Sequence, residues 1–231
     1  MAPSTTRRRG ALPFHTSHIE VEADLLQQAL GPGASVLEAG CGRTTRLDGF
    51  RDRIDRLAGV DLDESGGRMN ESLDEFAVAD LCGTLPFPDG AFDLVYSNFV
   101  VEHLERPPAA FAEWHRVLRP GGSVVVVTSN RSNPLMAAAR VLPQGLRTAI
   151  KGRGPGAAAR DVFPARYRAN TPGALTSQLG RAGFRPVQVV PVATLHRYAG
   201  ERRAAAAALR TFERGLPPRL RSTIVAWYRR G

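Results

Sequence analysis

Apolar and polar positions along this chain switch between two periods. From Ile19 to Leu30 apolar side chains fall at 19, 21, 25, 26 and 30 with acids at 20, 22 and 24, the spacing of an amphipathic helix that Gly31-Pro32-Gly33 closes. Short β-branched or aromatic runs follow. One strand begins at Val36-Leu37, a second ends at Gly59-Val60-Asp61, and further strands cover Ala77–Asp80, Phe92–Ser97 and Ser123–Thr128. Helices are predicted between them at Leu47–Arg56 and Pro108–Leu118, the latter stopped by Arg119-Pro120-Gly121-Gly122. Such alternation predicts βαβ units, hence an α/β fold with a mainly parallel sheet covered on both faces.

The pattern breaks after Thr128. Residues 129–170 hold an Asn/Ser/Pro turn, an apolar helix-like stretch from Pro134 to Ile150 and the loop GRGPGAAARD, which together read as an insertion on the substrate side, or a lid. A helix over Thr171–Ala182, a strand over Arg185–Val192, a helix from about 199 to 214 and a last strand over Thr223–Tyr228 complete the pattern, with no internal repeat.

Composition narrows the partners. With 231 residues, 43% of them apolar and 23% charged, the chain suits one sizeable domain, expected over 13–231 behind a disordered basic tail at 1–12. A net charge of +9 raises nucleic acid or an anionic membrane as partners. Lys151 is the only lysine, and abundant Ala, Gly and Pro accompany the arginines, so a compositional bias explains much of that charge. The arginines also scatter from 7 to 230 instead of lining up with aromatics, which disfavours RNA. Cys41 and Cys82 form neither a disulfide framework nor a metal-ligand spacing, and a cytoplasmic setting fits them. The first residues lack the apolar run of about 7 to 15 that a secretion signal needs, and no stretch of about 18 apolar residues could span a bilayer.

Candidate chemistry concentrates at the ends of the predicted strands, where open α/β sheets bind ligands. In VLEAGCGRTT, 36–45, a strand empties into an acid and a glycine turn; Gly40 and Gly42 permit positive φ and leave the backbone bare for a ligand. A dinucleotide fingerprint GxGxxG would require glycine at 45, and Thr45 stands there, which counts against a nicotinamide oxidoreductase. Glu38, Asp61 and Asp80 end successive strands. A carboxylate at the second strand's end can accept both hydroxyls of a ribose, and one after the third can accept an adenine amino group. Together they frame an adenosine.

These residues resemble the class I S-adenosylmethionine-dependent methyltransferases, particularly the small single-domain bacterial type. The matching segments are VLEAGCG at 36–42, GVDLD at 59–63, VADLCGTLPFPDGAFDLVYSNFVVEHL at 78–104 and RVLRPGGSVVVVT at 116–128, in the family's order and spacing; TPGALTSQLGRAGF at 171–184 is similar to its last helix before strand six. The resemblance implies a Rossmann-like seven-stranded sheet whose last strand is antiparallel. It implies S-adenosylmethionine as cofactor, with Gly40, Cys41 and Gly42 beneath the methionine and ribose, and with Glu38 at the loop or the amino group. Asp61 would take the ribose hydroxyls, Leu62 would pack on adenine, Asp80 would bind the adenine amino group and Leu81 would offer a backbone contact. Asn98 and Phe99 would flank the reacting methyl. The family commonly has glycine at position 44, so Thr44 either crowds the turn or offers its hydroxyl to the methionine carboxylate.

A sulfonium methyl is already electrophilic, so catalysis is chiefly alignment and exclusion of water. A hydroxyl acceptor also needs a base, and His103 is the first candidate because imidazole titrates near neutrality; the EHL segment containing it serves equally as packing and capping. His15, His18 and His196 are further candidates. His18, Asn130, Tyr167 and Arg168 are candidate acceptor contacts, the last two in the polar and aromatic RDVFPARYRAN loop. Cys41 and Cys82 read as small packing residues, Asp89-Gly90 as a turn and Asp93 as a strand-entry residue. The expected reaction is methylation of a small molecule, at a hydroxyl of a secondary metabolite, sugar or lipid intermediate. A cofactor-binding module without catalysis is the alternative, and the 134–150 stretch could also lie on a membrane surface.

Overall fold

The computed structural model of the chain describes residues 17–141, 164–200 and 202–231. The expected tail at 1–12, His15, the apolar stretch beyond Val141 and the GRGPGAAARD loop lie outside the described residues. Seven strands form one sheet: β1 (Ala34–Ala39), β2 (Ile54–Asp61), β3 (Glu75–Val78), β4 (Phe92–Asn98), β5 (Leu118–Ser129), β6 (Phe184–Val192) and β7 (Thr223–Arg230), in the order β3-β2-β1-β4-β5-β7-β6. The first five pair in parallel, while β7 runs antiparallel to both β5 and β6. The chain leaves the centre through β2 and β3 and returns at β4, so strand order reverses between β1 and β4. Open sheets of this kind bind ligands outside the carboxyl ends of the strands at such a reversal, here in the crevice between β1 and β4 that the rule predicts.

Helices cover both faces, as the patterning requires. Leu94, Val95, Tyr96 and Ser97 in β4 are fully buried. Alternate side chains go to opposite layers: Leu94 and Tyr96 join Val21, Leu25 and Leu26 of α1 (His18–Ala29), whereas Val95 joins Phe111 and Trp114 of α3 (Pro107–Val117) and Leu175 and Leu179 of α5 (Pro172–Arg181). On α3 the buried positions are Pro107, Ala110, Phe111, Trp114 and Val117, the stripe expected of a helix lying on a sheet.

Several expected boundaries move. The helix expected over Leu47–Arg56 is a 3-10 helix, Leu47–Arg53, and residues 54–56 already belong to β2. Only Leu47 of that helix is buried, so it has no apolar stripe to anchor a longer one. β3 ends at Val78, two residues short of Asp80, and a short α2 (Glu64–Arg68) stands where no periodicity announced it. Leu118 pairs with Phe92 ahead of the Arg119–Gly122 turn, and the register shifts there before Ser123 meets Leu94. The helix expected from about 199 divides into a 3-10 helix, Leu195–Ala199, and α6 (Arg203–Gly215), with Gly200 at φ +56 between them. α4 (Pro134–Val141) begins as expected, its first turn capped by the Asn133 side-chain oxygen on the amides of Leu135 and Met136, each at 3.1 Å.

Two interactions fix α1 over the crevice. Ser17 closes a capping box, its hydroxyl accepting from the Ile19 amide at 3.3 Å and its own amide donating to Glu20 at 2.9 Å. Glu22, 2% exposed, accepts a hydrogen bond from the Tyr96 hydroxyl in the core, and burial raises its pKa from the ordinary value. Tyr96→Phe removes that donor and strands a buried carboxyl group, with an expected loss of about 1–3 kcal/mol in a denaturant titration. Val21→Ala tests the alternative of simple packing loss, and a smaller effect of Tyr96→Phe than of an exposed substitution such as Ile19→Ala would show that the bond contributes nothing.

Candidate active site

The turn leaving β1 is built from backbone bonds that only glycine allows. The amides of Gly40 and Cys41 both donate to the Val60 carbonyl, at 2.8 and 3.2 Å. Gly40 has φ +80, and a Cβ there would lie 2.3 Å from Val100 Cγ2, so both conformation and space demand glycine. Gly42 has φ +50, and a Cβ there would meet no atom within 4 Å. Space above the turn is thus open on the ligand side. Asp61 ties the turn to β2: Oδ2 accepts from the Gly42 amide and Oδ1 from the Asp63 amide, both at 2.9 Å. From below, the buried Asn70 donates its side-chain amide to the carbonyls of Cys41 and Gly42, at 3.3 and 3.4 Å. Asn70 went unnoticed in the sequence, since an asparagine in a polar stretch carries no motif.

Thr44 does not crowd this turn. It is exposed and its φ is not positive, so the position does not demand glycine. The neighbouring Thr45 takes the structural role, accepting from the Leu47 amide at 3.0 Å and hydrogen-bonding Glu38.

Beneath the turn sits a concentration of carboxyl groups. Glu38 is 3% exposed and its Oε2 has no partner. Burial, partly opposed by the Thr45 hydroxyl and reinforced by Asp48, Glu22 and Asp61, pushes its carboxyl up to about 8. Burial likewise pushes the Cys41 thiol up to about 12, so it stays protonated and acts as a packing residue. On the opposite wall His18, 4% exposed, stands edge-on to Phe99 with ring centroids 5.9 Å apart. Burial first, then the charges of Arg197, Arg46 and His196, lower its pKa to about 4, so its imidazole is neutral at pH 7.

The remaining expected residues divide between the crevice and the scaffold. Leu62 is 52% exposed immediately beyond β2. Asp80 is exposed and opens a turn, its Oδ1 accepting from the Cys82 amide at 2.8 Å and its carbonyl from the Gly83 amide at 2.9 Å. The Leu81 side chain is buried in the core, which leaves its backbone for any contact. Asn98 ends β4 with a buried, unpaired Oδ1. Phe99 follows at φ +55, a left-handed conformation rare for an aromatic residue, held by its amide on the Val127 carbonyl at 2.8 Å. His103 sits half-buried in a hydrogen-bonded turn rather than a helix, with Nδ1 unpaired.

Asn130 is a correction. It is fully buried, and its amide donates to the carbonyls of Arg219 and Arg221 at 2.9 and 2.7 Å, so it joins β5 to the approach to β7 and does not face an acceptor. Tyr167 lies at φ +53, and its amide and that of Arg166 both donate to the Glu102 carbonyl. Arg168 is exposed and faces Glu105 at 3.7 Å. Glu102 of the EHL segment, 5% exposed, accepts from Thr128 at 2.7 Å and Ser129 at 2.9 Å, while Asn170 donates to Thr128 at 2.6 Å. That segment therefore clamps the end of β5 to the stretch before α5. The sequence offered no sign of this network, in which Glu102 and Asn170 meet through Thr128 and Ser129, because its members are far apart in the chain.

The methyltransferase domain family matches residues 37–126, the stretch that contains the turn, Asp61, Asp80 and Asn98. The chain is 35% identical over 126 residues to a malonyl-[acyl-carrier protein] O-methyltransferase of Pseudescherichia vulneris, covering 51% of this chain and 50% of that protein. It is 31% identical over 128 residues to phosphoethanolamine N-methyltransferase 1 of Arabidopsis thaliana, covering 51% of this chain and 26% of that protein. The chain thus spans half or less of the length of these relatives. In fold it is similar to an S-adenosylmethionine-dependent methyltransferase of Mesorhizobium loti, with TM-score 0.61 and 20% identity over 94% of this chain and 100% of that one. Residues 37–126 are thus similar to the methyltransferase domain family, and the sheet that carries them has the fold of the Mesorhizobium protein.

Proposed function

We propose that the protein transfers a methyl group from S-adenosylmethionine to an oxygen of a small-molecule acceptor, in the cytoplasm. The observation that carries this reading is the open glycine turn braced by Asp61 over an unpaired, buried Glu38. Such a site fits the cofactor: the bare backbone at Gly40, Cys41 and Gly42 suits the methionine and ribose, and Glu38 Oε2 lacks the cationic partner that the methionine ammonium would provide. Each Asp61 oxygen accepts one backbone bond and retains a lone pair for a ribose hydroxyl. Leu62 would lie on adenine, Asp80 and the Leu81 backbone would reach the adenine edge, and Thr44 would face the methionine carboxylate.

When bound, the cofactor supplies an electrophilic methyl group on sulfur. The chain's part is then to aim an acceptor oxygen in line with that methyl and keep water out, tasks for Asn98 and Phe99 at the end of β4. His103 is the proposed base for a hydroxyl acceptor, and residues 129–170 the proposed acceptor side, with Tyr167 and Arg168 near its rim. Oxygen is favoured as the accepting atom because the Pseudescherichia relative is an O-methyltransferase; the Arabidopsis relative keeps nitrogen as the second reading. A binding module without catalysis loses its one sequence hint, since Thr44 stays clear of the turn's hydrogen bonds. No helix among the described residues is long and apolar enough to cross a membrane.

Asp61→Ala removes two backbone anchors and the ribose acceptor together, so calorimetry should show S-adenosylhomocysteine binding weakened by about tenfold or more. Unchanged affinity would refute the ribose assignment. Glu38 supplies a second test with a defined sign. At pH 7 its carboxyl is mostly protonated, because its pKa stands at about 8, and pairing with an ammonium requires the carboxylate. Cofactor binding at pH 7 should therefore release close to one proton, read from the dependence of the binding enthalpy on the ionisation enthalpy of the buffer, and Glu38→Gln should abolish the release. Proton uptake, or release that persists in Glu38→Gln, would show that Glu38 does not meet the ammonium. Loss of methyl transfer in His103→Ala with cofactor affinity retained, in a mass-resolved acceptor screen, would support the base; retained turnover would remove it.

A further inference from the structure

A second cluster borders the crevice on the side away from Asp61 and Asp80. β6 runs parallel to β5, so the 3-10 helix Leu195–Ala199 that follows β6 emerges at the same edge as Asn98 and Phe99. His18, at the start of α1, packs edge-on against Phe99 from that direction. Arg46, from the segment after the glycine turn, lies 3.8 Å from Glu22, one helical turn beyond His18. Arg197 and His196 from the 3-10 helix and Arg46 from the turn all exert their charge on His18, and Arg210 and Glu213 face His196.

The charge in this corner is unbalanced. Glu22 is committed to the Tyr96 hydroxyl as well as to Arg46, and Glu213 accepts from the amides of Leu195 at 2.7 Å and Ser222 at 3.0 Å. Arg197 is exposed and has no carboxylate partner among the described residues. His18 Nδ1 is buried without a partner although the residue is only 4% exposed, and His196 Nδ1 is likewise unpaired. Such groups are costly to leave unmatched unless something completes them. Two guanidinium groups around a neutral, unpaired imidazole at a helix amino end match an oxyanion.

We propose that this corner anchors the acceptor through a carboxylate or phosphate group, held by Arg197 and Arg46 against His18, so that the atom to be methylated points toward Phe99 and Asn98. The assignment rests on the methyltransferase reading for what happens next, but anion binding itself does not. The acceptor is then a small molecule with an anionic end and a methylatable atom displaced from it. Proximity of the Arg46 and Glu38 segments places that anion beside the cofactor turn, which accounts for a cationic corner in a crevice otherwise rich in carboxyl groups.

The test is a nitrogen-labelled histidine spectrum of the wild-type protein, with and without saturating S-adenosylhomocysteine, titrated separately with inorganic phosphate and with succinate. The expected result is a saturable shift of the His18 ring signals with at least one probe and a rise in the His18 pKa from about 4, since a nearby anion favours imidazolium. Arg197→Gln and Arg46→Gln should each weaken that apparent affinity about tenfold, with calorimetric binding of S-adenosylhomocysteine to Arg197→Gln unchanged as evidence of an intact fold. A response to phosphate alone or to succinate alone assigns the anion's class. No saturable response to either, or a response of equal affinity in Arg197→Gln, overturns the proposal. If S-adenosylhomocysteine fails to bind the wild-type protein, the methyltransferase reading falls, while the titration without it still decides the anion site.

Discussion

The Asp61 carboxylate organises this site. One oxygen holds the amide of Gly42 and the other the amide of Asp63, so the turns leaving β1 and β2 are fixed to each other through a single side chain. Charge-assisted bonds of this kind are roughly twice as strong as neutral ones. Without them Gly42, at positive φ and with open space above it, would have no reason to keep its amide turned inward. Gly40 is held differently, by Val100 pressing where its Cβ would be and by the Val60 carbonyl. The surface of the turn is therefore main chain, shaped by one acid, by one position where no side chain fits and by a second where positive φ favours glycine.

Shaping a ligand surface in this way leaves the adjoining carboxyl groups poorly solvated. Glu38 and Glu22 are both nearly inaccessible to water and both have their pKa values raised by burial. Glu22 and Glu38 each have one oxygen without a hydrogen bond, but that of Glu22 has the Arg46 guanidinium 3.8 Å away, whereas Glu38 Oε2 has no cation among the described residues in an ion pair with it. A buried carboxyl avoids the cost of charge by keeping its proton. With its pKa at about 8, Glu38 is therefore mostly neutral at pH 7.

Much of the glycine turn and of the strand ends beside it was legible because its determinants are contiguous. VLEAGCG, GVDLD and the residues up to Asn98 each combine a buried run with a strand-end residue, and local sequence carries both signals. Alternation of helix and strand predicted the mainly parallel sheet, and the family resemblance supplied its seven strands with the last antiparallel. Errors fell where tertiary context decides: Leu47–Arg53 closes a connection as a 3-10 helix, and Asp80 is a turn residue beyond β3 rather than its last residue. Asn130 was misread because its position after β5 is shared by functional residues and by clamps, and only its bonds to Arg219 and Arg221 distinguish the two.

The opposite side of the strand-end edge, where the acceptor is proposed to sit, obeys a different rule. Its walls come from the start of α1, the turn after β4, the stretch before α5 and the 3-10 helix after β6, so residues that meet there are separated by most of the chain. Glu102 bonding to Thr128 and Ser129, Asn170 bonding to Thr128, and His18 packing on Phe99 illustrate the consequence. Each pairing is decided by the fold, and no linear spacing encodes it. A fold of this kind therefore does not name the molecule it acts on, and contacts of this kind are read only from the folded edge.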